Sequence, residues 1–163
     1  MRFQFFIAAI MLILLAGCKK SNLPVNYTCL INGSTVTGNA FTEFNPGGAN
    51  FIIQMSGANN SYIDLTWFDI DSVNAEKAII PKTYTMPNYQ LPPYTLVASY
   101  ISQYQYGNYN NASGGGSITI TSNTGPGGVI SGTFNFKAYN TNPPYDSVVV
   151  TQGSFTNVPV ASD

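Results

Sequence analysis

Four carboxylates fall within the segment "DLTWFDIDSVNAE", at Asp64, Asp69, Asp71 and Glu76. Glycoside hydrolysis needs two carboxyl groups about 5–9 Å apart across a cleft. Asp69 and Asp71, two positions apart, would share one face of a strand at about that separation if the segment is extended. The same stretch offers oxygen ligands for calcium from Asp69, Asp71, Asn74 and Glu76. Its spacing is not that of an EF-hand: no glycine follows the second acid at the required place, and the twelfth position would be Ile80, which has no carboxylate. Acids also sit ordinarily on solvated turns leaving a strand. We adopt that plainer reading, assign no catalytic residue, metal or cofactor, and keep the four oxygen-bearing residues as a calcium candidate only.

Tyrosine is the other excess. Seven of eleven lie between Tyr84 and Tyr109. Tyr100, Tyr104 and Tyr106 share strand parity and would line one face, with Tyr109 just beyond. Aromatic faces beside amides can hold sugar rings, the ring carbons stacking while amides bond the hydroxyls; Gln103, Gln105, Asn108, Asn110 and Asn111 supply the amides. Tyr100, Tyr104, Tyr106 and Tyr109 are therefore the candidate ligand-binding residues. The competing explanation is that tyrosine is simply a favoured strand residue whose hydroxyl reaches water.

Several chemistries are excluded by composition. The chain has no histidine, so neither a Ser-His-Asp nor a Cys-His arrangement can form, and no imidazole can ligate a metal. No P-loop, dinucleotide fingerprint or nucleophile elbow occurs. From Cys18 onward there are five lysines, no arginine and seven acids, a net charge of −2, too acidic and too sparse for a nucleic-acid face. Charged residues are 8% and aromatics 13% of the chain, a balance that favours a packed core over disorder.

The elements that must position these residues repeat every two positions rather than every 3.6. Asn32-Gly33 marks a two-residue hairpin, since both central positions need positive φ. Phe51, Ile53 and Met55 alternate with Ile52, Gln54 and Ser56, and Ile63, Leu65 and Trp67 with Tyr62, Asp64 and Thr66; Ile118 and Ile120 alternate with threonines, and Ile130, Phe134 and Phe136 with Ser131, Thr133, Asn135 and Lys137. Gly153, inside "VVVTQGSF", marks a bulge. Turn-formers separate the runs at 45–48, 57–61, 125–128 and 140–146, and "GNYNNASGGGS" at 107–117 has the composition of a long hairpin loop. The pattern predicts an all-β, antiparallel β-sandwich of about eight strands over residues 27–160, with a partly closed barrel as the alternative. Cys29, in "YTCLI", is expected to be a small buried hydrophobe.

The amino terminus carries an address. After Met1-Arg2 come twelve uncharged apolar residues, Phe5–Ala16, too few for a spanning helix, which needs about 20. They end in Leu15-Ala16-Gly17-Cys18, which resembles the lipobox of bacterial lipoproteins. That resemblance implies a signal peptide over residues 1–17, a diacylglycerol on the Cys18 thiol and an acylated new amino terminus. Residues 18–26 then form a tether and 161–163 a short tail. Lys19 and Lys20 would lie at headgroup level. By the same resemblance, a residue other than Asp after the cysteine is compatible with the outer membrane, and the absence of acids in "CKKSNLP" points to its periplasmic face, with the cell surface as the alternative.

The strand signatures "INGSTVTG", "KTYTM", "SYISQY…GGGSITIT", "ISGTFNFKAYN" and "VVVTQGSF" together resemble small Bacteroidetes lipoproteins of unknown function. Lys82 stands where that pattern has glycine. The resemblance implies a lipid-anchored β-domain and no established activity. The expected function is thus a non-catalytic binding or scaffold role in the envelope, its partners being the membrane, through the lipid, and a glycan or another envelope protein. A glycan-binding module using the tyrosines is the first alternative and an envelope hydrolase the second. Asp71-Ser72-Val73 and Asp146-Ser147-Val148 also resemble the O-glycan acceptor motif of exported Bacteroidetes proteins.

Overall fold

The computed structural model describes residues 25–45, 50–68, 79–86, 95–108, 114–140, 142–143 and 145–161. Its strands in chain order are β1 (Tyr27–Ile31), β2 (Ser34–Asn45), β3 (Asn50–Ser56), β4 (Tyr62–Phe68), β5 (Thr83–Met86), β6 (Thr95–Ile101), β7 (Gln105–Gly107), β8 (Gly116–Asn123), β9 (Val129–Tyr139) and β10 (Ser147–Pro159). No helix among these residues is long and apolar enough to cross a membrane.

The all-β antiparallel expectation holds, and of the two arrangements the chain takes the barrel. Neighbours run β10-β1-β2-β3-β4-β6-β7-β9, and β9 pairs back onto β10, which closes eight strands into a ring. β8 and then β5 extend from the edge of β9 that it shares with β7. The seam is narrow: β7 and β9 meet through one residue pair, Gly107 with Tyr139.

Closure needs a sheet that coils, and β10 supplies the bend. Its pairing with β9 slips between Val150 and Gly153 and again between Phe155 and Val158. At these slips Gln152 and Asn157 each have φ of 51°, the left-handed conformation of bulged residues. Bulges sharpen strand twist, which lets a long strand curl. The β1–β2 hairpin turns on Asn32 and Gly33, with φ of 48° and 83°, as their sequence requires.

The interior is filled. Phe51, Ile53, Met55, Ile63, Leu65 and Trp67 are buried from β3 and β4, and they meet Ile118, Ile120, Ile130, Phe134, Phe136 and Phe155. Trp67 packs edge-on against Phe51, at 5.9 Å, and against Tyr84 of β5, at 6.0 Å, tying the extension to the barrel. The two glycine-phenylalanine signatures are one device. In the β9–β10 register Phe134 faces Gly153 and Gly132 faces Phe155. Each ring lies over the glycine opposite, where a Cβ would stand 2.6 Å from Phe134 or 2.8 Å from Phe155. The glycines and phenylalanines of "GTF" and "GSF" are therefore packing chemistry.

Candidate functional site

The tyrosine-rich segment folds as a hairpin rather than a single row. β6 and β7 pair with Tyr100 opposite Tyr106, and Ser102–Tyr104 make the turn, closed by the Ser102 N–H donating to the Tyr104 carbonyl at 2.9 Å. Parity therefore brings Tyr100 and Tyr106 together across the hairpin, their ring centroids 5.9 Å apart, and leaves Tyr104 on the exposed turn. Tyr109 lies outside the described residues.

Tyr106 is buried along its ring, while its hydroxyl reaches out to donate to Asp146 Oδ2 at 3.1 Å. Burial raises the Tyr106 pKa, and the Asp146 carboxylate raises it further. At neutral pH it is a fixed hydrogen-bond donor and not a nucleophile. The contact spans the narrow seam, since Gly107, the next residue, carries the pairing with Tyr139. Behind it, Asn108 extends β7 by one residue: its N–H donates to the Ala98 carbonyl at 3.2 Å and its Oδ1 accepts from the Ala98 N–H at 2.9 Å. Asn108 thus belongs to the fold, whereas Gln103 and Gln105 are exposed beside Tyr104. Asn110 and Asn111 lie outside the described residues.

The sequence marks a loop at 140–146 but not that it faces this hairpin. Asn140 donates its N–H to the Asp146 carbonyl at 3.0 Å and accepts at Oδ1 from the Asn142 N–H at 2.9 Å. Its Nδ2 is buried with no acceptor among the described residues. Tyr145, with φ of 55°, is 69% exposed. The only signal was the turn-forming "NTNPPYD", which marks a loop but not its partner. Among the described residues, this end of the barrel therefore combines two exposed phenol rings, two exposed amides and a buried donor, Asn140 Nδ2, with no acceptor.

Asp64 is the one member of the acidic cluster that can be placed. It points from the outer wall of β4 and accepts from Gln54 Nε2 at 2.9 Å. Burial raises its pKa, against the pull of that hydrogen bond. Asp69, Asp71, Asn74, Glu76, Ser72 and Cys18 lie outside the described residues. Among those described, no three Cys, Asp or Glu side chains cluster as metal ligands do. Ser147, of the second acceptor-like triplet, is half-buried at the start of β10. Cys29 is buried as expected, and desolvation pushes its thiol up to about 11.

A family profile described as a domain of unknown function, DUF6252, matches residues 63–159, more than half of the chain. The chain belongs to the DUF6252 family. The matched DUF6252 span opens in β4 and ends with β10, so it takes in the tyrosine hairpin, the facing loop and the glycine-phenylalanine lock. It leaves out β1, β2 and β3, three strands of the ring in this DUF6252 protein. No curated protein and no solved structure matches the sequence.

Proposed function

We propose that this DUF6252 protein is a lipid-anchored β-domain of the bacterial cell envelope that binds or scaffolds rather than catalyses. The anchor carries the reading: an apolar run too short to span, ended by Leu15-Ala16-Gly17-Cys18. One acyl chain holds a protein marginally, and two or more hold it durably. The described chemistry is in keeping with binding. Its deepest ionisable groups, Tyr27, Cys29 and Tyr106, are all shifted toward the neutral form. We place the protein at the outer membrane, on the periplasmic face, with the absence of acids in residues 19–24, immediately after Cys18, as the support. Two perturbations test the anchor: Cys18→Ser removes the thiol and is expected to block lipid attachment, while globomycin is expected to block cleavage before Cys18 so that the precursor retaining residues 1–17 accumulates. Unchanged processing and membrane retention would refute it.

A second reading, glycan binding, is favoured by the barrel end just described. Tyr104 and Tyr145 offer ring faces, Gln103 and Gln105 offer amides, and Asn140 Nδ2 is a buried donor with no acceptor among the described residues. Binding to peptidoglycan fragments or a glycan array, lost in Tyr104→Ala, would support it. Blank arrays and a blank peptidoglycan pull-down would remove it.

A further inference from the structure

The outer wall carries a groove where the chain joins the barrel. It has a volume of about 490 Å³ and is lined by Val25, Ala40, Phe41 and Pro159, with Asn39 and Thr156 among its polar neighbours. None of the described residues lining it is charged. Two of the large apolar side chains most exposed to solvent belong to it, Val25 at 67% and Phe41 at 42%.

The groove has a fixed relation to the tether. β1 starts at Tyr27, but Asn26 carries its pairing one residue further by side chain: Oδ1 accepts from the Ala40 N–H and Nδ2 donates to the Ala40 carbonyl at 3.2 Å. Its backbone donates to the Gly38 carbonyl and accepts from the Thr156 N–H. Asn26 is thus clamped between β2 and β10, and the preceding residue, Val25, forms part of the groove. From Cys18 to Val25 is a span of seven residues, at most about 25 Å fully extended.

We propose that this groove is a membrane-contact surface, seated against the phospholipid bilayer; the inference rests on the lipid-anchor reading above. A short tether pinned at the groove keeps this side of the barrel near the bilayer and limits rotation away from it. An uncharged lining that sets Val25, Ala40, Phe41 and Pro159 beside the polar Asn39, Thr156 and Asn157 suits the boundary between headgroups and acyl chains. Lys19 and Lys20, between anchor and groove, favour anionic headgroups at the same level. The occupant is thus lipid, not a second protein or the tether itself.

Trp67 is the single tryptophan and is fully buried, so a tryptophan added at the surface reports its own surroundings. The lipidated mature chain carrying Phe41→Trp would be reconstituted in phosphatidylcholine–phosphatidylglycerol vesicles with brominated acyl chains. Thr156→Trp gives a second probe of the groove. Val149→Trp gives a control, an exposed site about 30 Å along β10 from Pro159. The expected result is loss of most of the added emission at positions 41 and 156 and none at 149. If the protein floats with the vesicles but all three probes remain bright, the groove does not touch lipid and the proposal is overturned while the anchor stands. Added emission that is blue-shifted but unquenched at position 41 overturns it in favour of the chain's own tether or another protein. Failure of the membrane-purified wild-type chain to float removes the anchor reading, and this inference with it.

Discussion

Gly153→Ala should be among the most damaging small substitutions in this fold. An added Cβ would sit 2.6 Å from Cε2 and Cζ of Phe134 and 2.7 Å from Cδ2. Carbon atoms rest about 3.5–4.0 Å apart, so the ring or the strand must move by about an ångström. Phe134 has little room to retreat, since it lies 6.4 Å from Phe136 and 6.3 Å from Phe155, centroid to centroid. The strand is held in turn by pairing on both sides of the bulge. Overpacking of this kind costs about 1–3 kcal/mol, and the upper half of that range applies where both partners are buried. Phe134→Leu should cost about 1–2 kcal/mol by itself, yet it vacates the space that the methyl group added at position 153 needs. The double variant should therefore be at least about 1 kcal/mol more stable than the sum of the singles predicts. Equilibrium urea unfolding of residues 18–163 carrying Cys18→Ser, followed by tryptophan emission, measures all four corners of the cycle. Additivity to within about 0.5 kcal/mol would refute the lock between glycine and ring.

Other outcomes follow from the same structure. Because folding raises the Cys29 pKa from 9.0 to about 11, the native state holds a proton that the unfolded state gives up. Stability should be unaffected by this group below pH 9 and fall by about 2–3 kcal/mol as pH approaches 11. Cys29→Ala should flatten the decline that begins above pH 9, before Tyr27 and Tyr106 begin to contribute; an unchanged slope in urea titrations would count against a desolvated thiol. Tyr106→Phe removes the donor at the seam and should cost about 1 kcal/mol, modest because Asp146 is exposed to water. The same loss in an Asp146→Ala background would show that the hydrogen bond is not its cause. Residues 63–159 expressed alone should fail to fold cooperatively, since β4 and β10 would lose their partners β3 and β1. A sharp unfolding transition for that fragment would show that the first three strands are dispensable.

Much of the fold could be read from alternation. Phe51, Ile53 and Met55, and likewise Ile63, Leu65 and Trp67, point inward as their spacing demands, because each strand has one face to bury. Asn32-Gly33 announced its turn, and Gly153 its bulge. Closure was less legible. It depends on the coiling of β10 and on the single Gly107–Tyr139 pair, neither of which alters a local pattern. The tyrosine row failed for a related reason: "SYISQYQYG" has no Gly, Pro or Asn at its turn, so Ser102–Tyr104 looked like continuing strand. The stretch 107–117 was expected to join a hairpin, yet its flanking strands β7 and β8 do not pair with each other; each meets β9 instead. Partnership of distant loops, such as Asp146 with Tyr106, is set by topology and leaves no mark in either segment.

The most direct test of the proposed anchor is the intact mass of the protein purified from membranes. Lipidation predicts the polypeptide from Cys18 to Asp163 plus a diacylglycerol and an amide-linked acyl chain, with that added mass absent in Cys18→Ser. A mass equal to an unmodified polypeptide, or one still retaining residues 1–17, would contradict it.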